Sequence, residues 1–190
     1  MSRLRRGLLV LLLSTLSTGS WAGQPTDEIG GDFSLTDHHG DAFELSQLRG
    51  KLVLLFFGYT FCPDICPTEL SNLAAVLNGL GDQGERVQGL FVTLDPERDT
   101  SEVLREYTGY FNPSLIGLTG AGEEVDRIAQ MYRVRYQRHE RPDGRYSLDH
   151  TADLYVIDQQ GELAAVVPYG LPPEHVLRLV RDMLSREEPG

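Results

Sequence analysis

The chain has 190 residues, and its first 22 read as an export signal, which leaves 168, enough for one domain with its own core and too few for two. Three of the 17 basic residues fall in that leader and none of the 28 acidic ones does, so the remainder carries a net charge of −14, which argues against nucleic acid or anionic lipid as its main partner. A hydrophobic fraction of 41% and a mean hydropathy of −0.24 exclude a disordered or membrane-embedded chain, and two cysteines exclude a disulfide-stapled miniprotein.

Arg3, Arg5 and Arg6 precede the apolar run from Leu8 to Leu13, and Ser20-Trp21-Ala22 supplies small residues where a signal peptidase reads. A cleaved secretory signal is expected over residues 1–22 and an exported domain over 23–190. The run is shorter than the ~20 apolar residues of a spanning helix, so no permanent membrane span is expected. Next, Phe33 to Thr36 and Ala42 to Leu45 flank Asp37-His38-His39-Gly40 as a β-hairpin. Lys51 to Tyr59 is nearly all apolar and predicts a strand buried on both faces. Leu70, Leu73, Ala74, Leu77 and Leu80 recur at helical spacing; Val87 to Leu94 is a second buried strand; Val103 to Tyr110 is a short amphipathic helix. Ser114 to Leu118 predicts a strand and Glu123 to Met131 a helix. Val134 to His139 with Tyr146 to Leu148 form an inserted hairpin turning at Pro142-Asp143-Gly144. Two antiparallel strands, Leu154 to Ile157 and Leu163 to Val167, and a helix from Pro172 to about Arg186 close an α/β domain with a mixed sheet flanked by helices.

Cys62 and Cys66 fall where the first buried strand gives way to the first helix, the place where open α/β sheets build their sites. Pro67 at the first helical position makes Cys66 the N-cap and leaves Cys62 on the loop. The partial positive charge of the helix terminus favours thiolate, the form required for both metal binding and disulfide exchange. A structural disulfide across so short a loop would constrain little of the unfolded chain. Thioredoxin-type redox dithiols usually leave two residues between the cysteines; the three here favour a metal chelate. Two soft thiolates suit Cu(I), and with one imidazole they also hold Cu(II) or Zn(II).

Five histidines are candidates for the third ligand. His38 and His39 sit in a turn, where tandem polar residues are expected to be solvated; His139 belongs to a charged surface loop, and His175 to the exposed first turn of the last helix. His150 stands in Asp149-His150-Thr151 at the mouth of a buried strand. In a thioredoxin-like sheet that loop faces the cysteine loop and often carries a cis-proline. Thr151-Ala152-Asp153 has no proline, which leaves space for an imidazole to reach a metal. The competing reading of His150 is a histidine hydrogen-bonded only to Asp149 or to a backbone carbonyl.

Three segments together, Phe57 to Leu70 around the cysteines, Val92 to Thr100, and Asp149-His150-Thr151 before Leu154 to Asp158, resemble the Sco/SenC family of copper proteins over roughly Asp32 to Leu184. The resemblance implies a thioredoxin-like fold and a mononuclear copper site, with Cys62, Cys66 and His150 as ligands of Cu(I) or Cu(II). It also implies a copper chaperone for the dinuclear copper centre of cytochrome c oxidase, with the copper-bearing oxidase subunit or another periplasmic copper or thiol protein as partner. Some members of the family work as thiol-disulfide reductases, so reduction of a disulfide in an exported target is the alternative. The short leader points to a bacterial, periplasmic version. Phe61 departs from the family pattern at a position that is often histidine or another polar residue.

The remaining motif residues have simpler readings. Asp95 and Asp99 follow a strand expected beside the cysteine strand, where they would add negative field near the site or a docking surface for a basic partner; the simpler readings are a helix cap for Asp99, with Glu102 three residues on, and a turn shaped by Asp95 before Pro96. Asp64, between the two cysteines, is read as tuning their pKa values or sitting on the rim, and not as a ligand. Of Phe56, Phe57, Tyr59 and Phe61, at least two should be core, and any that points outward would form an apolar rim.

Overall fold

The computed structural model describes residues 29–186; the export signal expected over 1–22 lies outside them. Strands β1 (Ser34–Asp37) and β2 (Ala42–Glu44) form the expected first hairpin. Strand β3 (Leu52–Gly58) is buried at every position. It runs parallel to β4 (Val87–Thr93), with Leu52 opposite Val87 and Gly58 opposite Thr93, and antiparallel to β8 (Leu154–Ile157) on its other side. A strand with neighbours on both edges and layers on both faces has no solvent side, which is why its sequence is an unbroken apolar run. Burying each Leu or Phe of it contributes roughly 1.5–3 kcal/mol.

The seven strands follow the order β2-β1-β5-β4-β3-β8-β9, where β5 is Ile116–Thr119 and β9 is Leu163–Val167. Helix α1 (Ile65–Gly79) packs on α4 (Pro173–Arg186) and on α2 (Ser101–Phe111), and α2 also covers β5; α3 (Gly122–Met131) connects β5 to the inserted hairpin. The mixed sheet with its parallel centre and antiparallel flanks is thioredoxin-like. The inserted hairpin, β6 (Tyr136–Glu140) with β7 (Tyr146–His150), forms a separate two-stranded sheet. Its turn ends at Gly144, whose φ of 79° favours glycine. The hairpin places His150 at its base, at the end of β7 and opposite Tyr136.

The histidine pair of the first turn behaves differently from expectation. His39 is exposed, but His38 is buried, with Nδ1 accepting the Gly117 amide at 3.1 Å and Nε2 lying 3.1 Å from His39 Nε2. The turn folds back over α2 and β5, and polar partners there make burial of the imidazole tolerable. His139 and His175 are exposed, as expected.

Candidate metal centre

The C-terminal ends of β3 and β4 lie side by side, and the cysteine loop leaves from the first of them. Helix α1 starts one residue before Cys66, with Asp64 as the N-cap residue. This corrects the expectation that Cys66 caps the helix. Every amide of the first turn lacks a partner inside the helix, so Pro67 fits at the third position as well as at the first. No Asp64 side-chain bond caps the helix. Cys62 Sγ does part of that work, accepting the Cys66 amide at 3.4 Å. The two sulfurs are thereby drawn to one helix terminus, Cys66 fully buried and Cys62 half-buried.

Asp99 holds the loop in place. It is fully buried and accepts hydrogen bonds from the Thr60 amide (3.0 Å), Thr60 Oγ1 (2.6 Å) and Thr93 Oγ1 (2.6 Å), joining the cysteine loop to the end of β4. The helix cap assigned to it belongs to Thr100, whose hydroxyl accepts the Val103 amide. A carboxylate with three donors inside the fold has no reason to turn out to a helix end. Asp95 also does more than shape a turn. Buried, it accepts from Arg98 Nε (2.5 Å) and the Tyr146 hydroxyl (2.6 Å), tying the hairpin to the body. A second tie comes from Tyr59, whose hydroxyl accepts the Leu148 amide at 3.2 Å.

These ties set His150 against the thiols. Its Nδ1 lies 2.8 Å from the Thr151 carbonyl, which can only accept, so Nδ1 carries the proton and Nε2 turns its lone pair to the sulfurs. Nε2 is 3.2 Å from Cys66 Sγ, and the ring packs edge-on to Tyr59 and Phe56 at centroid distances of 6.0 and 6.3 Å. Asp149 takes no part, pairing instead with His139 at 3.0 Å. Among the described residues, the donor atoms of Cys62, Cys66 and His150 form the one cluster of metal-ligand type, all within 4.8 Å of one another. Donors about 2.0–2.3 Å from a shared ion lie roughly 3.5–4 Å apart, so a small inward movement suffices. Two sulfurs and one imidazole nitrogen are a soft set that suits copper.

The two thiols are electrostatically unequal. The Cys66 thiol donates to Cys62, and the amides of Asp64 and Cys66 add to this against the effect of burial, so the Cys62 pKa falls to about 3. Cys66 is pushed far up, because its proton is held by the Cys62 sulfur and its own sulfur is buried. The resting pair is therefore one thiolate and one thiol sharing a proton.

Phe56, Phe57 and Tyr59 are core, and Phe61 is the outward one, 59% exposed beside Cys62. Asp64 is exposed at the rim, as expected. Sequence reasoning missed the second role of Tyr59 and the bracket made by Asp99. The only available signal was a polar atom at each end of two otherwise apolar strands.

A sequence profile of the SCO1/SenC family matches residues 22–185. The mitochondrial protein SCO2 of Saccharomyces cerevisiae is 36% identical over 164 residues, covering 85% of this chain and 54% of its own length. The SCO2-like protein of Rickettsia felis is 36% identical over 156 residues, covering 81% and 76%. The chain thus spans about half of the yeast relative and three quarters of the rickettsial one. Among solved structures, Bradyrhizobium japonicum ScoI with copper bound is similar with a TM-score of 0.76 and 38% identity, covering 82% of this chain and 99% of that one.

Proposed function

The chain belongs to the SCO1/SenC family, and from that premise we propose that it carries one copper ion on Cys62, Cys66 and His150 and delivers it for assembly of the dinuclear copper centre of cytochrome c oxidase. The observation that carries this reading is the convergence of two sulfurs from the cysteine loop and helix start with one correctly oriented imidazole nitrogen from the base of the inserted hairpin. A relative of known structure is described with copper bound.

Copper is cargo here, as Cu(I) or Cu(II). Cys62, already a thiolate, is the first ligand; Cys66 gives up its proton as the ion settles, and the imidazole closes the set without a change of tautomer. Release runs in reverse. An incoming thiolate approaches from the Cys62 side, next to exposed Phe61, and as the ion leaves, Cys66 recovers the proton that its burial favours. The acceptor is the copper-bearing oxidase subunit or another periplasmic copper or thiol protein. We assign the cleaved leader to residues 1–22, the copper-carrying domain to 23–190 and the periplasm as its compartment. No described helix is long and apolar enough to cross a membrane.

A second reading is favoured by the depressed pKa of Cys62 alone: its thiolate attacks a disulfide in an exported target, and Cys66 then displaces the mixed disulfide, which leaves the pair oxidised and the target reduced. Anaerobic titration of Cu(I) and Cu(II) into reduced chain starting at Gly23, beside His150→Ala, separates the two. One copper per chain with sulfur-to-copper charge-transfer absorption is expected, with affinity about 100-fold lower in the variant, about 2.8 kcal/mol. Weak binding indifferent to His150 would overturn the copper reading and favour the reductase.

A further inference from the structure

Phe61 is exposed, yet its ring has a partner. The guanidinium carbon of Arg98, on the turn after β4, lies 4.5 Å from the ring centre. The same half-buried guanidinium grips the inserted hairpin: Nη1 donates to the Tyr146 carbonyl at 3.4 Å, and the central carbon is 3.7 Å from the centre of the Tyr146 ring. Asp95 pairs with Arg98 as well, and a carboxylate bound along the edge of a guanidinium leaves its flat faces to aromatic rings. Tyr146 is held in its turn, since its hydroxyl donates to Asp95 at 2.6 Å and the guanidinium carbon of Arg138 is 3.5 Å from the centre of its ring.

Phe61 directly precedes Cys62, and Tyr146 stands at the opposite end of β7 from His150. One guanidinium therefore joins the loop that carries the first sulfur to the strand that carries the imidazole. The hairpin is a sheet of its own, so its spacing from the cysteine loop rests on side-chain ties of this kind. The tie through Tyr59 is buried, whereas this one ends at a ring open to solvent. We propose that Phe61 is a positioning residue: its ring clasps Arg98, which keeps the cysteine loop and the His150 hairpin at the separation the copper site needs, and lifting the ring loosens the imidazole as copper leaves. The proposal rests on the copper reading above. A cation over an aromatic ring at an exposed site shifts an equilibrium by roughly 2- to 5-fold, weak enough to open during transfer and strong enough to measure.

The test compares wild type, Phe61→Leu, Phe61→Trp and Tyr110→Leu, the last on an exposed ring of α2. Amide hydrogen exchange in the metal-free chains and the rate of Cu(I) loss to excess bicinchoninate are recorded for each. Leucine keeps an apolar side chain but offers no aromatic face, so Phe61→Leu should exchange the β7 amides and lose Cu(I) roughly 2- to 5-fold faster, with exchange in β4 unchanged. Phe61→Trp, with a larger face, should match wild type or be slower in both, and Tyr110→Leu should match wild type. In an Arg98→Lys background, where an ammonium replaces the flat fork, Phe61→Leu should lose most of its effect. Rescue by tryptophan and dependence on Arg98 are signatures that general loosening of the loop cannot give. A Phe61→Leu protein with wild-type exchange or wild-type copper loss overturns the proposal while leaving the copper reading intact, as does an effect undiminished beside Arg98→Lys. A wild type that takes up no copper overturns both.

Discussion

Gly58 is the last residue of β3, and replacing it with alanine tests how closely the cysteine site is built against the core. Its φ lies outside the left-handed region, so alanine can adopt the backbone without strain and any effect is steric. The added methyl would lie 2.8 Å from Cys66 Sγ, 2.9 Å from Phe91 Cε2 and 3.3 Å from Phe56 Cε1, against the roughly 3.5–4.0 Å of ordinary contact. Overlap of about 1 Å with a fully buried sulfur and a fully buried ring cannot be relieved by a flexible side-chain end. Overpacking of this kind costs about 1–3 kcal/mol. If the ring yields, the loss appears in stability; if the sulfur yields, it moves away from its place beside Cys62 and His150 and the loss appears in copper affinity. Gly58→Ala should therefore lose about 1–3 kcal/mol across urea unfolding of the metal-free chain and copper affinity read by chelator competition, up to roughly 100-fold if all of it falls on the metal. Gly84→Ala, where the methyl would meet nothing within 4 Å, is the control and should be near neutral. Wild-type stability together with wild-type affinity in Gly58→Ala would refute the claim that this glycine is set by the approach of the sulfur.

Three further outcomes are expected. Asp99→Ala leaves the Thr60 amide and two hydroxyls without their acceptor and should destabilise the chain by about 2–4 kcal/mol in denaturant unfolding, with faster proteolysis in the cysteine loop; unchanged unfolding would show that the bracket is idle. Glu69 is buried in α1 and burial pushes its pKa above the usual 4.5, so the ionised carboxylate opposes folding above the raised value and ceases to do so below about pH 4.5. Glu69→Gln should raise the unfolding temperature at pH 7, with the gain fading as pH falls through that window; a gain constant with pH would contradict the sign. Because the Cys62 pKa is about 3, its alkylation by iodoacetamide, followed by mass spectrometry, should vary little between pH 5 and 8, where an ordinary thiol slows about tenfold per unit. Buried Cys66 should lag well behind, and equal labelling of the two would overturn the asymmetry.

The inserted hairpin explains how a thioredoxin-like sheet acquires a histidine beside its cysteine loop. It lies outside the main sheet, yet Tyr59, Asp95 and Arg98 fasten it next to the cysteine loop through Leu148 and Tyr146. The imidazole at its base is thus held by the same residues that terminate β3 and β4.

The amino-acid sequence by itself determined the main strands and helices and singled out the three side chains that the structure brings together. Apolar runs over β3 and β4 could be nothing but strands covered on both faces, the helical spacing after Cys66 was unambiguous, and His150 stood apart from the other histidines because a buried strand begins just after it. These are local signals, set by which side chains repeat at which period. Tertiary structure decided what local pattern cannot carry. His38 is buried because α2 and β5, distant in the chain, bring it a hydroxyl and an amide. Asp99 turns inward because Thr60, 39 residues earlier, offers two donors, and the apparent capping pattern around it yields to Thr100. The helix start moved from Pro67 to Ile65 because the Cys62 sulfur supplies a partner for an amide that sequence alone leaves open. In each case the outcome depended on where a buried polar group finds its partner, and a hydrogen-bond partner is fixed by position in space rather than by neighbours along the chain.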